Sequence, residues 1–71
     1  MREFVMKEFV GELEKERTLC EKILSICEKA LKESLEPRSV WLQEKKRYEK
    51  KISEIDRSLE VFKKLVNRWT N

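Results

Sequence analysis

Cys20 and Cys27 carry the most reactive side chains in the sequence, and their spacing limits what they can do. A structural zinc site takes four ligands, and there is no histidine to help two cysteines complete one. On a helix the two lie two turns apart, about 10 Å along the axis, too far to share an ion or close an intrachain disulfide. The reading that fits is a pair of small core residues, since a free cysteine packs like a hydrophobe. The functional alternative is an intersubunit disulfide or a redox role.

Glu12 and Glu16 form the next candidate, two carboxylates one helical turn apart. Acid-base work would require a second acid or base and a cavity, and a narrow helical bundle supplies little pocket. Di-metal carboxylate bundles use Glu-x-x-His pairs, which cannot be written without histidine. Glu16 therefore reads as a polar notch in an apolar seam, paired with Arg57 or with a lysine of a second subunit. No nucleophile-base pair, glycine-rich phosphate loop or metal constellation is present. The chain is expected to be no enzyme and to take no cofactor, metal or small molecule.

Cations supply the third candidate. Residues 38–71 hold ten Lys/Arg against five acids, while residues 1–37 hold seven against nine. Lys46, Arg47, Lys50, Arg57, Lys64 and Arg68 gather into a ridge, and Lys50 to Lys64 alone spans about 21 Å of helix. That length reaches several phosphates of a nucleic-acid backbone. Against this, Glu44, Glu49, Glu54, Asp56 and Glu60 lie among the cations, and aromatic residues for base stacking are missing from the ridge. The plain alternative is a solvated charged face. A membrane surface is not expected as a partner, because Arg2, Glu3, Lys7 and Glu8 mix signs in the first turns.

All of these residues sit on one repeating pattern. Apolar side chains return as Met6, Phe9, Leu13, Cys20, Ile23, Cys27 and Ala30, then after Pro37 as Trp41, Tyr48, Ile52, Ile55, Leu59, Phe62, Val66 and Trp69. Three- and four-residue spacing of this kind is the heptad signature of helices packed side by side. It predicts an all-α, single-domain chain with one helix over about 3–33, a connector over about 34–38, and a second helix over about 39–69. Pro37 ends the first helix, because it removes a backbone donor and clashes with the preceding turn. Ser39 is the expected N-cap of the second, with Pro37 in the first turn as the alternative. One long helix kinked at Pro37 is the rival architecture.

Folded back at the connector, the two helices form an antiparallel hairpin that sets Phe9 opposite Phe62, Leu13 opposite Leu59 and Met6 opposite Val66. The first helix carries a stripe wider than one neighbour can cover, with Val5, Leu19 and Ile26 on one side of the seam and Val10, Leu24 and Leu31 on the other. With Phe4 and Trp69 at the open end, these residues make the expected partner surface. The economical solution is a homodimer whose hairpins join into a four-helix bundle.

Composition agrees with that picture. Charged residues reach 44%, yet they are interleaved with apolar positions rather than blocked, which favours helix over disorder. Thirteen glutamates against one aspartate match helix propensity, and a Glu/Lys-rich, Gln/Asn-poor chain also suits a hot-growing source. Apolar runs as short as Phe4-Val5-Met6 point to a soluble, cytoplasmic protein. The functional expectation is a non-catalytic interaction or assembly module working as a homodimer with a further protein partner. The alternative is a bundle that binds RNA or DNA through the basic ridge.

Overall fold

In the computed structural model the backbone of residues 2–70 and the side chains of residues 4–68 are described. The described chain is all-helical: α1 covers Arg2–Lys32 and α2 covers Arg38–Thr70, and the two pack against each other along their length. A single kinked rod is thereby excluded. The hairpin measures 51 × 15 × 13 Å, two helices wide and one deep.

That shape dictates a thin core. With only one neighbour, a helix can hide just the side chains that point straight at it. The buried apolar residues are accordingly few: Cys20, Cys27 and Ala30 from α1, Ile55 and Leu59 from α2. Cys20, Ile55 and Leu59 form the central cluster, with Val10, Leu13, Tyr48 and Ile52 packed around it. Near the open end the Phe9 and Phe62 rings meet edge to face, with centroids 4.8 Å apart and planes at 71°. This is the pairing that the antiparallel register predicts.

How α1 stops without a glycine is visible in its last carbonyls. Leu35 N–H donates to Ala30 C=O at 3.0 Å, and Ser34 N–H to Leu31 C=O at 3.1 Å. Those two bonds make a Schellman ending, which requires a left-handed residue, and Ser34 takes that role with φ of 57°. The Arg38 guanidinium adds a third donor, reaching Leu31 C=O at 3.4 Å. Lys29 and Lys32 in the final turn complement the negative end of the helix dipole.

The start of α2 departs from the expectation. Ser39 lies inside the helix, and Pro37, joined to Glu36 by a cis peptide bond, stands just before its first residue. Val40 N–H donates to Pro37 C=O at 3.2 Å, closing the first turn. The Glu36 carboxylate accepts from Arg38 N–H at 3.4 Å, so a glutamate rather than a serine meets one exposed donor at the positive dipole end. Proline at the boundary moves the helix start ahead of the serine, because its restricted φ already suits helix entry.

Within α1, nothing lies within 4 Å of the place where a Cβ would stand on Gly11. No close backbone approach calls for glycine there.

Candidate interaction surface

The two sides of the hairpin seam are unequal. On one side Arg17 of α1 forks onto Asp56 of α2, its Nε bonding one carboxylate oxygen and its Nη2 the other, the latter at 3.3 Å. Glu21 accepts from the Nη1 of the same guanidinium. Nearer the open end, Lys63 reaches back to Glu14 at 3.5 Å. Val10, Leu24 and Leu31, on this same side, are half-buried against the neighbouring helix. Hydrogen bonds from Arg17 hold the Asp56 carboxyl below its ordinary value and, in return, raise the guanidinium further above its own.

The opposite side is bare. Val5 is 61% exposed, Leu19 57% and Ile26 58%, and Phe4 at the end of the row reaches 72%. Phe9 stays nearly half exposed although its ring rests on Phe62. Among the described residues no ion pair links the helices on this side. A shallow groove there is lined by Leu13, Glu16, Lys51, Glu54, Ile55 and Ser58. Sequence reasoning pairs Glu16 with Arg57, and the structure does not. The nearest interhelical bridge is Arg17–Asp56, one heptad position away, and Glu16 stands exposed without an ion pair among the described residues.

Of the eight residues expected at a partner surface, Phe4, Val5, Leu19 and Ile26 lie exposed, whereas Val10, Leu24 and Leu31 are partly covered by α2. Trp69 lies outside the described side chains. Exposed apolar residues that the stripe does not include are Val40, Leu42 and Val61 on α2 and Leu35 in the connector. Their signal is present in the sequence, since each falls off the seam, where an apolar side chain has no helix to cover it.

The expected basic ridge is exposed throughout: Lys46, Arg47, Lys50, Arg57, Lys64 and Arg68 all face solvent. Two of them are engaged by neighbouring carboxylates, Arg47 with Glu44 at 3.7 Å and Lys64 with Glu60 at 3.4 Å.

Both thiols are free and buried, Cys20 at 5% and Cys27 at 2% exposure, so neither offers its sulfur to a second chain at the surface. Among the described residues no cluster of three or more His, Cys, Asp or Glu side chains is placed to hold a metal ion. No described helix is long and apolar enough to cross a membrane. Comparison with known proteins finds no family model, no curated protein and no solved structure that matches the chain.

Proposed function

We propose that this hairpin is a non-catalytic assembly module that works as a homodimer, two copies joining through the bare flank of α1 into a four-helix bundle. One observation carries the reading: Val5, Leu19 and Ile26 recur on multiples of seven and are all more than half exposed, on the flank that α2 leaves open. From Val5 to Ile26 the row runs about 32 Å, broken at its second heptad by Glu12, and is long enough for a helix-helix seam.

A second copy is the occupant that the surface fits. Among the described residues no large side chain is completely buried, and a core this thin is one that oligomerisation commonly supplements. The flank also carries both signs of charge, with Glu16 and Lys51 lining one groove. A two-fold arrangement that sets Glu16 of one copy against Lys51 of the other makes that contact twice, so the surface can complement itself. In such a dimer Glu16 gains a lysine of the second subunit as partner. The role as an adaptor for a further protein follows from the same geometry: aromatic residues around Phe4 and Phe9 remain at the open end of the bundle.

Sedimentation equilibrium at micromolar concentration tests the reading. The wild-type chain is expected to run as a dimer, and the variants Leu19→Glu and Ile26→Glu as monomers of lower helicity. A compact, fully helical wild-type monomer at that concentration overturns it.

A further inference from the structure

We propose a second surface, independent of the dimer flank: the outward face of α2 binds the phosphate backbone of a double-stranded nucleic acid. Ten cations and five acids on residues 38–71 do not by themselves say which charges are available. The ion pairs do. Asp56 is held by Arg17, Glu44 by Arg47 and Glu60 by Lys64, while Lys63 is taken by Glu14 of α1. Removing those partners leaves 10 − 3 = 7 cations against 5 − 3 = 2 carboxylates, Glu49 and Glu54, over the same residues. Asp56 is turned to the seam by Arg17, and Glu44 and Glu60 each occupy one cation of the ridge, Arg47 and Lys64, leaving the others without a carboxylate partner among the described residues.

Lys46, Lys50, Arg57 and Arg68 are the exposed cations of the ridge that make no ion pair among the described residues. Lys50 and Arg57 are both exposed, and their seven-residue spacing sets them on one helical face, two turns or about 10 Å apart. A dimer formed through α1 leaves them uncovered. The shape favours a duplex over a single strand. Single-strand binders stack bases on exposed aromatics, and among the described residues none is available on this face: Tyr48 is half-buried with Lys51 5.0 Å from its ring centroid, and Phe62 is engaged with Phe9. A rigid row of cations without stacking groups recognises backbone charge and shape, not sequence.

Anisotropy of a labelled DNA duplex, and of one of its strands alone, tests the inference at low and moderate salt. With about four phosphates neutralised, the duplex association constant is expected to fall on the order of 100-fold between about 50 and 200 mM salt. The variant carrying Lys46→Glu, Lys50→Glu and Arg57→Glu should lose duplex binding at least tenfold. Its circular dichroism and sedimentation should match wild type; if the triple variant unfolds, Lys50→Gln with Arg57→Gln replaces it, with a loss of several-fold expected. Absent binding at low salt, salt-insensitive binding, tighter binding of the single strand, or undiminished binding by the folded variant each overturns the proposal. So does binding to vesicles of equal parts phosphatidylserine and phosphatidylcholine without any binding to duplex.

Discussion

Arg17 on α1 grips Asp56 on α2 through two nitrogens of one guanidinium and holds Glu21 with the third. A forked contact fixes both distance and rotation, so the bridge selects one register of the antiparallel pair and closes one flank of the seam. Both partners remain partly exposed, which keeps the energy of the bridge modest and sensitive to salt.

The bridge has a pH signature with a definite sign. The Asp56 carboxyl titrates below its ordinary 3.8 in the folded chain because Arg17 hydrogen-bonds its charged form. Its contribution is therefore complete above that ordinary value and is lost as pH falls through the lowered one. Asp56→Asn is expected to be less stable than wild type at neutral pH, with the gap closing in strong acid. Urea denaturation of both proteins across the acid range measures this; a gap that is constant with pH refutes it.

Ser34 occupies a left-handed conformation that costs a residue with a Cβ about 1–2 kcal/mol. Ser34→Gly should therefore stabilise the hairpin by about 0.5–1 kcal/mol, once the greater freedom of glycine in the unfolded chain is subtracted. Thermal denaturation followed by circular dichroism reads the change. A loss of stability would mean that the serine side chain itself supports the turn.

Gly11 presents the reverse case. A methyl group there meets nothing, so Gly11→Ala should gain about 0.5–1 kcal/mol from helix propensity alone. The denaturation midpoint should rise with its slope unchanged.

Cys27 is almost wholly enclosed, and replacing its sulfur with a hydroxyl places a poorly partnered polar group in the core. Cys27→Ser should cost about 1–3 kcal/mol. In the native protein both thiols should react slowly with an alkylating reagent and become fully reactive in denaturant; rapid native labelling would contradict their burial.

Phe9 and Phe62 should be coupled. A double-mutant cycle with leucine at each position is expected to give about 0.5–1.5 kcal/mol of interaction energy for the edge-to-face pair. Coupling near zero would show that the rings are merely neighbours.

How the architecture could be read from the letters is clearest at Phe9 and Phe62. Their meeting follows from heptad spacing and a fold-back near Pro37, because the helical period carries each ring to the seam whatever the details of packing. The same period places Cys20 and Cys27 inside. Around the connector it is silent. Ser34 and Glu36 act there through backbone angles and individual hydrogen bonds, and composition does not report those.

The candidate surface divides along the same line. A wide apolar stripe on α1 is a property of sequence alone, fixed by which residues recur at the third and fourth positions. Which half of it stays uncovered is not, since the helical wheel is symmetric about its seam and treats Leu19 and Leu24 alike. Tertiary structure breaks that symmetry: Arg17–Asp56 and Glu14–Lys63 draw the helices together on one side, leaving Leu24 half-buried and Leu19 in water. Charge behaves likewise, for the excess of cations on α2 can be counted from the chain, but which of them stay unpaired depends on where the folded helices bring their acids.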